Sequence, residues 1–323
     1  MRIRGSSRCG AHSARVHTSI TTHVDVCGGR SCKCAGRNWA EHRDQGNHLR
    51  ALRANYLIKP LQNNDQKYVC RYGLRVEFPE LVPEPVSGRV FSARRRVRLG
   101  DVTGSGRFRL DSAARFLQDV SNDDSRDSQM EDIHGWVVRR MSMEVERFPR
   151  YLEMVDLRTW CSGIGSHWAE RRTSIVAESG GRVDAAALWV HVDLQTMWPK
   201  PLSDNFLVSV GESTQGRKVG SRHTVREKPD GSESVLSWQV RSTDIDALDH
   251  MNNAVYWEAV EEVVREMGGM KAPVRVVLEH HDAIERHHEV TIKWRSERDS
   301  ALIWHIVDGE RIAAATRIQL LGS

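Results

Sequence analysis

Residues 244–263, "DIDALDHMNNAVYWEAVEEV", set acids, a histidine and paired asparagines immediately ahead of an apolar-striped run. The apolar spacing predicts a helix beginning near Met251 to Asn253. A helix N-terminus carries unpaired backbone N–H groups and the positive end of the helix dipole, so it can hold negative charge that develops in a reaction. A carboxylate just before it can act as a base on water or attack directly. Asp246, two residues past Asp244 and on the same face of the preceding strand, is the candidate for that role. His250 could orient the carboxylate or water, or protonate a leaving group. Asn252 and Asn253 can supply an N-cap, and Asp244 reads as a turn or capping acid. Tyr256 and Trp257 read as packing.

The elements that must position these residues occur twice. In the second half, "SVLSWQVRSTDID" alternates as a half-buried strand does, and the helix carries Tyr256, Val260, Val263 or Val264, and Met267 on one face before Gly268-Gly269 stops it. Four strand-like runs follow: "PVRVVLEHH", "HHEVTIKWRS", "ALIWHIVDG" and "RIAAATRIQLL". The first half repeats the order: a strand in "GRVFSARRRVRLGDV", a helix in "FRLDSAARFLQDV", then four strands. That helix places Leu110, Ala113 or Ala114, Leu117 and Val120 on one face. Strand, helix and four strands, repeated, predict an α+β chain of two tandem hot-dog domains, each a curved antiparallel sheet wrapped round a central helix, whose sheets can pair edge to edge. The expected divisions are an N-terminal extension and linker over 1–84, a first hot-dog over 85–205, a connection over 206–232 and a second hot-dog over 233–323.

Charge and cysteine are unevenly spread. Residues 1–70 hold 12 Lys+Arg against 4 Asp+Glu, and the other 253 residues hold 35 against 39, so the basic pI near 8.8 belongs to the N-terminal stretch and not to a nucleic-acid-binding body. Cys9, Cys27, Cys32, Cys34 and Cys70 precede residue 71 and only Cys161 follows, which excludes a disulfide framework in the body and fits a reducing, cytoplasmic compartment. Residues 1–84 show no helical or strand periodicity. Cys27, Cys32 and Cys34 invite a zinc reading, but their spacing matches no standard zinc knuckle. Disorder, an organellar transit peptide (which would make the location plastid-like), or translated upstream sequence with a start near 70–85 are the other readings. "PELVPEPVSG", residues 79–88, reads as a linker.

"DIDALDHMNNAVYW" resembles the Asp-x-Asp-x-x-x-His-x-Asn-Asn-x-x-Tyr signature of hot-dog thioesterases. The layout, with "WVVRRMSMEVERFPRYLEMVDLRTWCSGIG" and "ALWVHVDLQTMWPKPLSDNF", is similar to the acyl-ACP thioesterases over about residues 88 to 323. That resemblance implies hydrolysis of fatty acyl-ACP to free fatty acid and ACP, with Asp246, His250, Asn252 and Asn253 at the catalytic site. The sequence departs from the plant-type pattern in two places. Leu248 stands where that pattern has an asparagine, and Ala283 and Ile284 stand near its acid and cysteine on the strand after the helix. Glu279 and Asp282 are the acids available there, flanked by His280 and His281, and Glu279 is the candidate. No thiol nucleophile carries over; Cys161 reads as a core thiol. The first copy has "VTGSGRFRL" after Asp101 and lacks His-x-Asn-Asn, so it is expected to pair sheets and line an acyl tunnel without catalysing.

The resemblance implies an acyl carrier protein as partner, delivering its acyl chain on phosphopantetheine, and no metal or redox cofactor. An acidic carrier would meet a basic face; Arg94, Arg95, Arg96 and Arg98, with Arg139 and Arg140, are candidates. Acyl-CoA hydrolysis and non-hydrolytic acyl binding remain as alternatives. A monomer suffices if the tandem copies mimic a hot-dog dimer; a homodimer is the other expectation. No run of 18 or more apolar residues is present, so no membrane-spanning helix is expected.

Overall fold

A computed structural model describes residues 78–129 and 135–321. Ten strands form one antiparallel sheet in the order β1-β3-β4-β5-β2-β7-β10-β9-β8-β6. The first copy comprises β1 (Phe91–Arg96), α1 (Leu110–Asp127), β2 (Trp136–Arg147), β3 (Met154–Ile164), β4 (Trp168–Ala177) and β5 (Arg182–His191). The second comprises β6 (Ser234–Trp238), α3 (Asn253–Glu266), β7 (Val274–His280), β8 (Val290–Glu297), β9 (Ser300–Val307) and β10 (Arg311–Leu320). A further helix, α2 (Asp204–Val210), lies in the connection and was not foreseen from its polar composition.

Each copy runs in the same spatial order, and the two join where β2 pairs β7 from Arg140 opposite Glu279 to Val145 opposite Val274. This junction buries β7 on both faces, which is why its sequence reads as a near-continuous apolar run. Val274, Val276 and Leu278 belong to the main core with α1 and α3, while Val277 packs in a separate cluster with Val225, Trp304 and Ile306 on the other face. The strands left at the sheet edges, β1 and β6, have 6 and 5 residues, short enough to offer little template for unwanted pairing.

The two central helices pack against each other inside the curve of the sheet. Helix α3 is buried nearly all round, from Ala254 through Val264, with Trp257 fully enclosed. Truncating a residue such as Trp257 to alanine typically costs about 3–5 kcal/mol. Gly268 and Gly269, at φ 97° and 96°, end the helix in the left-handed conformation glycine accepts most readily, the Gly269 N–H reaching Val264 O at 2.8 Å.

The segment predicted as a linker is tied down. Val82 O accepts from Arg172 Nε at 3.0 Å, and Glu84 pairs with Arg158. The strand predicted through Asp246 ends earlier, at Trp238. Residues 242–244 instead form a single 3-10 turn, so Asp244 and Asp246 do not share a strand face. The reason is local: the Asp244 carboxylate accepts the Arg241 N–H at 2.8 Å and pairs with its guanidinium at 2.7 Å, closing a turn that a strand would have to break. Among the described residues no helix is long and apolar enough to cross a membrane.

Candidate active site

Asp246 sits in a tight loop that feeds α3. The Asp246 N–H donates to His250 O at 2.9 Å, Asp249 N–H returns to Asp246 O at 3.1 Å, and Ile245 bridges Met251. Asp249 takes φ 60°, a conformation Asp tolerates better than most residues. Outside the loop, Asn252 N–H donates to Asp244 O at 2.8 Å and Met251 N–H to Ile284 O at 2.7 Å. Asp244, 2% exposed, is thus the structural acid under the loop, and Ile284 serves by its carbonyl.

The Asp246 carboxylate is held from two sides. Its Oδ1 accepts the Leu248 N–H at 2.9 Å, and its Oδ2 lies 3.4 Å from Asn252 Nδ2. Asn252 is the N-cap of α3, its Oδ1 accepting Ala254 N–H at 3.0 Å. One asparagine therefore starts the helix and orients the acid. The next residue, Asn253, opens the helix, and its N–H has no acceptor among the described residues.

A cavity of about 280 Å³ opens at this point, lined in the loop by Asp246, Ala247, Leu248 and Asn253. Its remaining walls come from the first copy and the connection. Gln118, Ser121, Asn122 and Ser125 of α1 form a polar side, while Trp136, Trp189 and Phe206 form an aromatic one. Cys161 and Ala169 also line it, with Arg171, whose guanidinium pairs with the buried Asp124. Burial pushes the Cys161 thiol up to about 11, so it is protonated at neutral pH.

The first copy repeats the loop's backbone at a shift of 143 positions (Arg98 to Arg241, Asp101 to Asp244). Thr103 N–H donates to Arg107 O, Gly106 N–H to Thr103 O and Arg109 N–H to Asp101 O, each matching a bond of the second loop. Gly106, at φ 78°, stands for Asp249, and the bridge Val102–Phe108 for Ile245–Met251. The side chains differ: Thr103 replaces Asp246, Arg107 replaces His250, and Arg109 and Leu110 replace the asparagines. The Leu110 N–H, equivalent to that of Asn253, is filled by Glu261 Oε1 at 2.7 Å. Glu261 also receives the Arg107 guanidinium through both oxygens.

Family models for the acyl-ACP thioesterase N-terminal domain and C-terminal domain match residues 88–209 and 227–319. The chain belongs to the acyl-ACP thioesterase family. An uncharacterized protein of Mycobacterium tuberculosis is 28% identical over 243 residues, covering 75% of this chain and 96% of that protein. The chloroplastic oleoyl-acyl carrier protein thioesterase 1 of Arabidopsis thaliana is 25% identical over 134 residues, 38% of this chain and 36% of that one. Among solved structures, an oleoyl thioesterase of Lactobacillus plantarum aligns with TM-score 0.61 at 17% identity, covering 74% of this chain and 99% of its own. The 12:0-ACP thioesterase of Umbellularia californica aligns with TM-score 0.59 at 17% identity, covering 72% and 98%. These structures share the tandem hot-dog fold expected from the repeated strand–helix–four-strand order.

Within this acyl-ACP thioesterase frame, the residues singled out in sequence separate. Asp246 and Asn253 meet at the cavity, and Asn252 supports Asp246. His250 is half-buried, does not line the cavity, and acts on the loop through its carbonyl. Glu279 lies elsewhere. It shares a face of β7 with Val277, opposite Leu278 and α3, and is fully buried beneath the connection. Thr224 N–H and Oγ1, Val225 N–H and His223 Nδ1 all donate to its carboxylate. Burial alone would raise its pKa, but these donors hold it below the usual carboxylate range. With His223 and His281 it forms a grouping of potential metal ligands whose atoms lie within 4.8 Å, and its oxygens already accept from four donors, His223 among them. It is a clasp that fastens the connection to the sheet. Strand periodicity could have placed it: Leu278 belongs to the core stripe of "VRVVLEH", so its neighbour points away.

Of the proposed docking arginines, Arg94 pairs with Asp156 and Glu178, and Arg95 with Asp119 and Asp123. Arg140 is buried and donates to Arg222 O at 2.9 Å. Arg94 and Arg95 are thus neutralised in place, whereas Arg96 and Arg98 are exposed and have no ion pair among the described residues, and Arg139 donates to His280 O at 3.0 Å. What sequence reasoning missed is the polar wall of α1. Its signal was available, because Gln118, Ser121, Asn122 and Ser125 recur at helical spacing beside the apolar stripe.

Proposed function

We propose that the chain hydrolyses fatty acyl-ACP at the cavity beside α3, with Asp246 as general base and the Asn253 N–H as oxyanion donor. The observation that carries this reading is the contrast between two equivalent amides. Leu110 N–H holds a carboxylate in the first copy, whereas Asn253 N–H stands open at a cavity that Asp246 lines. A carboxylate oxygen resembles the oxyanion of a tetrahedral intermediate in charge and in what it accepts.

In this reading Asp246 takes a proton from water as the water oxygen attacks the thioester carbonyl carbon. The carbonyl electron pair moves onto oxygen, which the Asn253 N–H and the helix dipole receive. Collapse breaks the C–S bond, and the proton held by Asp246 passes to the pantetheine sulfur, releasing fatty acid and carrier thiol. One such preorganised donor is typically worth about 2.7–4 kcal/mol, and a positioned base about 10²–10⁴-fold. His250 supports the loop. The second copy supplies the reacting groups and the first copy most of the acyl pocket. The relatives named for oleoyl-ACP and 12:0-ACP thioesters support fatty acyl-ACP as the substrate class.

The test is a hydrolysis panel of acyl-ACP and acyl-CoA thioesters from short to long chains, with the full chain and its Asp246→Asn variant. Turnover on acyl-ACP, abolished in a folded Asp246→Asn, is expected. Near-normal turnover by that variant would sink the Asp246 assignment. Preference for CoA would move the partner, and retention of acyl chains without turnover would leave an acyl-binding protein.

A further inference from the structure

The shift of 143 that relates Asp101 to Asp244 also relates Gln118 to Glu261. Glu261, on α3, reaches back across the helix pair to the first N–H of α1. The same two-fold relation gives Gln118 on α1 the position that Glu261 holds on α3, opposite the other helix's first turn. Arg115 and Glu258 confirm the relation independently: they are equivalent under the same shift and approach each other at 3.7 Å across the pair, as residues near the axis should. Gln118 lines the same cavity as Asp246 and Asn253, and its amide has no hydrogen-bond partner among the described residues.

Building on the functional reading above, we propose that Gln118 of the first copy is a catalytic residue of the second copy's site, donating its side-chain N–H to the oxyanion beside Asn253. A carboxylate at this position can only accept, and in the first copy it closes the helix terminus. A glutamine amide leaves the terminus open and adds a donor to it. The identity of one residue on each helix thus decides which of two similar loops is usable.

The titratable groups lining the cavity are Asp246, Glu170, Arg171 and Cys161. Glu170 is engaged by Arg217 and Arg171 by Asp124. On the helices, Asp119 and Asp124 of α1 are paired with Arg95 and Arg89, and Glu258 and Glu261 of α3 with Arg241 and Arg107.

The test compares Gln118→Ala and Gln118→Glu in the full chain, reading kcat and KM on acyl-ACP from acid to neutral pH, with thermal unfolding in parallel. Gln118→Ala is expected to lower kcat on the order of 10²-fold with KM little changed, the loss of one oxyanion donor. Gln118→Glu should fall further at neutral pH. Its rate relative to the unsubstituted chain should recover as pH falls, because a protonated carboxyl can donate. The same variant should raise the melting temperature at neutral pH by capping Asn253, and lose that gain in acid. Rates within about threefold for both variants, or a melting change in Gln118→Glu that is negative and independent of pH, would overturn the proposal. If the unsubstituted chain turns over no thioester, the functional reading fails, and the melting comparison still decides where Gln118 points.

Discussion

The Glu261 carboxylate, on the central helix of the second copy, accepts the N–H of Leu110, the first residue of the central helix of the first, at 2.7 Å. It also takes the Arg107 guanidinium, and the two side chains are 10% and 14% exposed. Three groups that would each be costly to bury alone satisfy one another here. Glu261→Ala should therefore leave Arg107 and the α1 terminus unpartnered and destabilise the protein by about 3–5 kcal/mol. Urea unfolding checks this, with a lower midpoint at unchanged slope expected.

Leu248 is the main departure from the plant-type pattern, and it reaches Asp246 only through its backbone N–H, at 2.9 Å. Its side chain is 46% exposed. Leu248→Asn keeps that bond, so hydrolysis should change by less than about threefold, under about 0.7 kcal/mol of barrier. A much larger change in kcat would mean that position 248 acts through its side chain.

A thiol mechanism predicts inhibition by alkylation, and burial argues against it. With its pKa pushed up to about 11, Cys161 carries almost no thiolate at pH 7. Iodoacetamide at neutral pH should leave hydrolysis intact, and Cys161→Ala should retain turnover. Loss of activity in Cys161→Ala with normal folding would reopen the role of sulfur.

His280 and His305 pack against Tyr256 and are held neutral, each with its pKa lowered to about 3, chiefly by burial. In the unfolded chain they take protons near the ordinary value of 6.5. The unfolded state thus binds more protons between these limits. Stability should be full above about pH 6.5 and fall as pH drops, by up to about 1.4 kcal/mol per pH unit for each ring. Chemical denaturation at pH 7, 6 and 5 reads this slope, and His305→Phe should flatten it.

Ala169 lines the cavity and is 6% exposed. A larger side chain there removes volume from the pocket without touching Asp246. Ala169→Leu should lower kcat/KM for long acyl chains more than for short ones, by about tenfold at the far end, in keeping with the 1–3 kcal/mol that a methylene's worth of space controls. An unchanged chain-length profile would place the acyl group elsewhere.

How much was legible follows from the range of each interaction. The apolar stripe of α3, the strand alternation and the repeat are local periodicities, and they placed the elements and the hot-dog order. The loop from Asp246 to Asn253 was legible because its capping and turn bonds connect residues a few positions apart. The extent of the strand before it was misread, since alternation continues through Asp246 while the Arg241–Asp244 turn ends the ladder. The zinc, transit-peptide and disorder readings of residues 1–77, with the cysteines there, concern residues outside those described.

By itself, then, the sequence determined the strands and central helix of each copy, their order and the one loop that carries a carboxylate at a helix N-terminus, but neither α2 nor where β6 ends. Only the tertiary structure decided which helix terminus is filled, because Glu261, which closes the α1 terminus, lies on the opposite helix, far in sequence from the loop it reaches. It alone put the α1 wall, Trp136, Trp189 and Phe206 around Asp246, and sent Glu279 to the outer face. Those outcomes depend on pairing β2 with β7 and packing α1 against α3, contacts between segments more than 100 positions apart that no local pattern encodes.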